Sequence, residues 1–343
     1  MNSIAIVVYS LVVSCTYFSN KFVLTYLGKS FWKKRQEKQR KKYSSMFFTG
    51  FRFPMVFQGW VTLVGSLILR LLAYVPSKQD PTLRVLPLDR SAFISLLPNF
   101  FLFTISIIAG SKALAHLPIL TFIAVANVVP AGIYILDNLS LKKTSVVQLI
   151  SSIVVIGSSI PVILAASDDV DEEGKAELTS LMDSPKFWLV VHVFCVYCVT
   201  LHGRIADARF GAADRLFYSY IFSLVVLAPA SLYLEEAFQA LHFQPSRQID
   251  FVLGSLISAF VGVAQNLYAI RLKEDEEFGK LHHASLGFAG LLSIAFFSTD
   301  LPWWGWISCV LNLLALVFVP TFMKKDDNLL GQSSDQQLPH HVT

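Results

Sequence analysis

Charge is scarce in this sequence. Only 15% of the 343 residues are Asp, Glu, Lys or Arg, while 54% are hydrophobic and the mean hydropathy is +0.56. A soluble domain of this length needs more charge to cover its surface, so the composition indicates a polytopic membrane protein. Cysteine is scarce too: Cys15, Cys195, Cys198 and Cys309 all fall in apolar runs. Cys195 and Cys198 make a CxxC with no second pair beside it, which reads as small apolar packing rather than a metal or redox centre. The chain has no HExxH, no paired intramembrane aspartates and no Gly-rich phosphate loop. No Asp or Glu lies well inside an apolar run, which argues against a carboxylate proton relay. An enzyme is poorly supported, and no cofactor is expected.

What the chain does have is apolar length. Ten runs can be counted, at about 4–27, 53–75, 92–110, 118–137, 146–165, 187–202, 216–234, 249–271, 283–299 and 302–322. Most approach the ~20 residues a helix needs to cross a bilayer. The sixth and ninth are short. Alternating polarity is absent, so the runs predict helices rather than barrel strands. The first run has no basic lead and no A-x-A-like exit, and is read as a span rather than a cleaved signal. Trp188, Trp303, Trp304 and Trp306 stand at run ends, where an interfacial belt belongs.

The loops carry opposed charge. Residues 29–42 hold eight Lys or Arg, and residues 168–183 hold seven acids. With the N-terminus in the cytosol, the two sides carry fourteen and thirteen Lys/Arg, a tie that becomes fourteen against five without the 29–42 block. The distributed signal therefore favours both termini inside. The basic block reads as a solvated loop or a surface for acidic lipid. A division follows: a first five-helix repeat at 1–165 with a basic insertion at 29–46, an acidic lumenal loop at 166–186, a second repeat at 187–322, and a disordered cytosolic tail at 323–343. Cys15-x5-Lys21 in run one is echoed by Cys198-x5-Arg204 ending run six. Two odd-numbered halves would enter the membrane from opposite sides, the pattern of an inverted repeat with its ligand near the midplane.

Lys21 is the most informative polar residue. An ammonium in a spanning run is costly, so it faces a water-filled cavity and an anion, or else snorkels to the interface. Ser14 and Tyr17 share its helical face. In run eight Gly254, Ser258 and Gly262 recur every four residues and Asn266 continues the row, a spacing that lets helices approach closely. Asn266 there either makes an interhelical hydrogen bond or reaches a ligand. His192 is a lone histidine with a structural role expected. Cations, amides and tyrosines in one cavity suit an organic phosphate: Lys and Arg offset its charge, tyrosines stack a base, amides read hydrogen bonds.

Several short blocks carry a resemblance: Ser19-Asn20-Lys21-Phe22-Val23-Leu24, Phe57-Gln58-Gly59-Trp60, Gly110-Ser111-Lys112-Ala113-Leu114, Asn127-Val128 and Tyr220-Ile221-Phe222-Ser223. In them the chain resembles the drug/metabolite transporter superfamily, within it the nucleotide-sugar transporters, and more narrowly the transmembrane protein 241 family. The resemblance implies an all-α polytopic fold of ten transmembrane helices in two inverted five-helix repeats. It also implies a Golgi or endoplasmic reticulum membrane, and exchange of a cytosolic nucleotide sugar for a lumenal nucleoside monophosphate. By position, Phe217-Tyr218-Ser219-Tyr220 stands where GDP-mannose transporters have a Phe-Tyr-Asn-Asn base-reading motif, and both amides are replaced. Their Gly-Ala-Leu-Asn-Lys motif is absent, the region reading Ser285-Leu286-Gly287-Phe288-Ala289-Gly290. That loss leaves Lys21 and Arg204 as the cationic candidates.

The expected substrate is a UDP-sugar, UDP-N-acetylglucosamine first. The alternatives are GDP-mannose, a small organic phosphate, or a non-transporting membrane scaffold. Lys21 and Arg204 would hold the diphosphate, and Tyr17, Tyr218 and Tyr220 would wall base and sugar. Asn20, Gln58, Asn127, Ser219, Asn266 and Ser285 would complete the substrate site. Expected partners are nucleotide sugar, nucleoside monophosphate and membrane lipids, with a homodimer allowed and no nucleic acid.

Overall fold

Apolar length decides the elements. The computed structural model describes residues 3–27, 54–74, 86–141, 145–166, 184–205, 210–234, 245–272, 276–297, 299 and 301–319. The helices are α1 (Ser3–Lys21), α2 (Pro54–Tyr74), α3 (Arg90–His116), α4 (Ile119–Ala126), α5 (Val128–Leu141), α6 (Val146–Ala165), α7 (Pro185–Ile205), α8 (Ala212–Leu234), α9 (Pro245–Leu272), α10 (Glu276–Phe296) and α11 (Trp303–Leu316). A π-helical segment, Phe22–Leu27, extends α1. Eight stretches are long and apolar enough to cross a bilayer, with α4 and α5 together forming one, and two further apolar helices, Leu281–Phe296 and Trp303–Leu316, are shorter. The described residues form helices and no strand, and the protein is a multi-pass membrane protein. The basic insertion at 29–46, the acidic stretch 168–183 and the tail at 323–343 lie outside the described residues.

Every apolar run corresponds to helix, with one instructive difference in length. The third run is read as ending near residue 110, but α3 continues to His116. Its last two turns include Ser111, Lys112 and His116, which depress local hydropathy without breaking the helix. At the other end Asp89 caps α3, its carboxylate accepting from the Ala92 amide at 2.7 Å.

Side chains then set the packing. α3 lies along α7, α2 along α8, and α6 along α11, while α1 runs between α9 and α10 and α4 packs on α10 and α6. The main core gathers on α4, whose residues from Ile119 to Val125 are all buried. Val7, Leu11, Ile153, Phe194, Phe260 and Leu291 instead face outwards. Such an apolar exterior is a liability in water and matches hydrocarbon.

The small-residue row of α9 is only partly a packing face. A Cβ at Gly254 would fall 2.6 Å from Val23 Cγ2, so α1 and α9 approach closely there. One turn on, the Ser258 hydroxyl donates to Asn20 Oδ1. Gly262 has open space beside it, and Asn266 Nδ2 donates back to the Gly262 carbonyl at 2.9 Å.

The deepest polar network joins α4, α6 and α11. Asn312 is fully buried; its Nδ2 lies 3.0 Å from the Val155 carbonyl, 3.1 Å from Ser158 Oγ and 3.0 Å from Ser159 Oγ. Its Oδ1 accepts from Asn127 Nδ2 at 3.0 Å. Interhelical hydrogen bonds in membranes contribute roughly 0.6–2 kcal/mol each. Asn312→Leu should therefore lower stability by about 1–2 kcal/mol, because it also leaves Asn127 without that acceptor. A melting temperature for the detergent-purified variant equal to that of the parent would refute this role.

Candidate functional site

Proline creates the central feature. In a continuing helix, the Leu114 carbonyl would accept from the amide of residue 118, but residue 118 is Pro and has no N–H. Leu117 closes α3 with its amide on the Ala113 carbonyl, so the carbonyls that follow need other donors. Lys21 supplies them. Its Nζ lies 2.8 Å from the Leu114 oxygen, 2.9 Å from that of Leu117 and 3.3 Å from that of Ala115, and the residue is only 6% exposed. Thr25 adds a second donor to Ala115 at 3.2 Å. A cation at a helix C-terminus is also favoured by the helix dipole. Lys21 thus neither snorkels nor faces open water in this state: it caps α3.

Two of the other resemblance blocks, those of Gln58 and of Gly110-Ser111, meet at the same two turns. Gln58 Nε2 donates to Ser111 Oγ at 2.5 Å. Gly110 sits under the His192 ring, where a Cβ would lie 2.8 Å from Nδ1, and that nitrogen is 2.8 Å from the Ser106 carbonyl. His192 therefore has the structural role expected of it. Phe122 packs against His192 at 5.0 Å between centroids, and Tyr17 meets Phe122 edge-on at 6.1 Å. Lys112 lies with its Nζ 4.1 Å from the centre of the Trp188 ring. Lys112 falls between the third and fourth apolar runs and so reads as loop; the Gly-Ser-Lys-Ala-Leu block is the signal that holds it.

The remaining predicted residues fall in separate places. Arg204, at the end of α7, pairs with Asp137 near the end of α5. Sixteen residues of α7, about 24 Å, separate it from Trp188 beside Lys112. Lys21 and Arg204 therefore stand at opposite ends of the bundle and cannot hold one diphosphate together, a correction to the paired-cation expectation. Tyr218 is also at the Arg204 end, its hydroxyl donating to the Leu86 carbonyl at 2.5 Å, while Asp214 accepts from the Leu86 amide at 3.0 Å. These two contacts clip the lead into α3 onto α8. Ser219 is buried, and Tyr220 is wedged between Gly65 and Phe103 with its hydroxyl 3.5 Å from Asn266 Nδ2. Ser285 shares a hydrogen bond with Ser10 at 2.8 Å, next to Tyr9, whose hydroxyl meets His282 Nδ1 at 2.7 Å and whose ring stacks on Tyr268. Asn127 belongs to the Asn312 network already described. Asn312 itself escapes sequence reasoning, since it is one amide in an apolar run with nothing to mark its partners.

No family model matches the chain. Curated proteins do. A Xenopus laevis protein named UDP-N-acetylglucosamine transporter TMEM241 homolog is 28% identical over 274 residues, covering 80% of this chain and 79% of that protein. The Mus musculus UDP-N-acetylglucosamine transporter TMEM241 is 29% identical over 229 residues, 65% of this chain and 70% of that one. Over most of its length the chain is similar to these two transmembrane protein 241 proteins. The resemblance drawn from the short blocks is thereby supported over most of the length, and the TMEM241 relatives extend it past the seventh run.

The geometry changes what a Lys21 substitution should do. Lys21→Met removes every donor the ammonium gives, and orphaned buried carbonyls cost about 1–3 kcal/mol each. The variant should melt well below the parent, with any loss of activity following the folded fraction. Lys21→Arg, which keeps the charge and donors, should recover part of the stability. Equal melting of Lys21→Met and the parent would show that the cap contributes nothing.

Proposed function

We propose that this protein is a nucleotide-sugar antiporter of the Golgi or endoplasmic reticulum membrane, exchanging cytosolic UDP-N-acetylglucosamine for lumenal UMP. The observation that carries this is the similarity to two proteins named as UDP-N-acetylglucosamine transporters over most of their lengths. Both termini are assigned to the cytosol, which makes the Lys21 end of α3 lumenal and the Arg204 end cytosolic.

Ten spans in two inverted halves fit the helix pairing. Number the spans in order, with α4 and α5 as the fourth. The pairings two with seven, four with nine and five with ten map onto themselves when each span is exchanged for the one five places on. Under the same exchange, the packing of three on six becomes that of eight on one, and three on seven becomes eight on two. That regularity supports an inverted repeat, and a substrate site between the halves.

Tyr17, Asn20, Gln58, Ser219, Tyr220, Asn266 and Ser285 lie on spans one, two, seven, eight and nine and are our candidates for base and sugar contacts. Lys21 reaches a phosphate only in a state where the end of α3 releases it. Arg204 with Asp137, and Tyr218 with Leu86, act at the cytosolic end as closing contacts. Asn127 serves the packing.

Purified protein in liposomes loaded with UMP should accumulate labelled UDP-N-acetylglucosamine faster than in empty liposomes. GMP inside should not stimulate, and external GDP-mannose should compete poorly. A preference for GDP-mannose, or equal uptake into loaded and empty liposomes, would overturn the assignment of base or of exchange respectively.

A further inference from the structure

Two lysines meet the last turns of α3, and they are used in opposite ways. The Lys21 ammonium is spent on three backbone carbonyls. Lys112 has only the face of Trp188, 4.1 Å away, and among the described residues no hydrogen bond or carboxylate reaches it. An indole face attracts the charge but accepts none of the three N–H donors in the ordinary sense. A half-buried ammonium in this condition calls for an acceptor with several oxygens.

Among the described residues no carboxylate competes for this ammonium. The carboxylates of Asp89, Asp137 and Asp214 are all engaged at the opposite end of the bundle. Trp188 lies in the first turn of α7, whose N-terminal amides add positive potential. Phe187 packs edge-on against it, 5.5 Å between centroids, and fixes the ring. Lys112 is four residues, about 6 Å, from the end of α3, within reach of both the aqueous face and the headgroup layer.

We propose that Lys112 over Trp188 is a phosphate-binding site at the seam between α3 and α7. The phosphate belongs either to a nucleotide entering or leaving at that end, which rests on the transport reading above, or to an anionic lipid headgroup. Charge-assisted contacts to phosphate are among the stronger polar interactions, so losing the ammonium should weaken binding roughly tenfold or more.

The test uses full-length protein in phosphatidylcholine nanodiscs, titrated by thermal shift with pyrophosphate, with UMP, and in parallel discs with phosphatidylinositol added. The parent should be stabilised by at least one of these, and Lys112→Gln should require roughly tenfold more of the same phosphate, with Lys112→Arg close to the parent. If Lys112→Gln loses its response to pyrophosphate and UMP, the nucleotide is the source; if only the phosphatidylinositol response is lost, the lipid is. Trp188→Phe, which keeps an aromatic face, gives a second reading should Lys112→Gln melt early without ligand. Its response should be weakened in the same direction. The site is refuted if the parent responds to no phosphate, or if Lys112→Gln and Trp188→Phe respond as the parent does. A parent that binds pyrophosphate through Lys112 but fails to take up UDP-N-acetylglucosamine would retain the site and discard the transport reading.

Discussion

An ammonium seated on the end of a helix organises this protein. Lys21 belongs to the first span, yet its ammonium donates to the carbonyls of Leu114, Ala115 and Leu117 on the third. Two independent costs cancel in that contact. A cation inside a membrane protein needs dipoles, and a helix stopped by Pro118 needs donors. Each alone would leave its own polar groups unsatisfied. Joining them fixes the first span against the third and the corner into α4, the most buried helix segment described.

Around that contact, other side chains read as attachments to the same two turns. Gln58 brings α2 to Ser111, and His192 and Trp188 bring α7 to Gly110 and Lys112. At the far end a second set of contacts holds: Tyr9 and Ser10 on α10, and Tyr218 and Asp214 on the lead into α3. The first helix is thus tied to one half of the bundle near its end and to another near its start. A carrier that opens alternately to two sides must loosen one such set while keeping the other.

Much of the fold was legible because membrane spans announce themselves by length and apolarity, and each run became helix. The boundary of α3 was not, since Ser111, Lys112 and His116 look like a loop when hydropathy is the only measure. Lys21 was correctly singled out as costly. Its partner was invisible because backbone carbonyls leave no mark in a sequence, although Pro118 was a readable clue to where donors would be missing. Arg204 was paired with Lys21 from an echo of spacing; the antiparallel course of α3 and α7 puts them apart. Asn127 looked like a ligand contact because a buried amide asks for a partner, and the partner turned out to be Asn312, 185 residues away.

The interruption at Asn127 has its own mechanical meaning. The α-helix breaks there, and the amide of Ala131 reaches the Asn127 carbonyl only at 3.5 Å, so the fourth span is two short rods joined by a soft link. Asn312 grips that link from the side. A push on the corner at Pro118 can then tilt the upper rod about this pivot while Asp137, on the lower one, keeps its grip on Arg204.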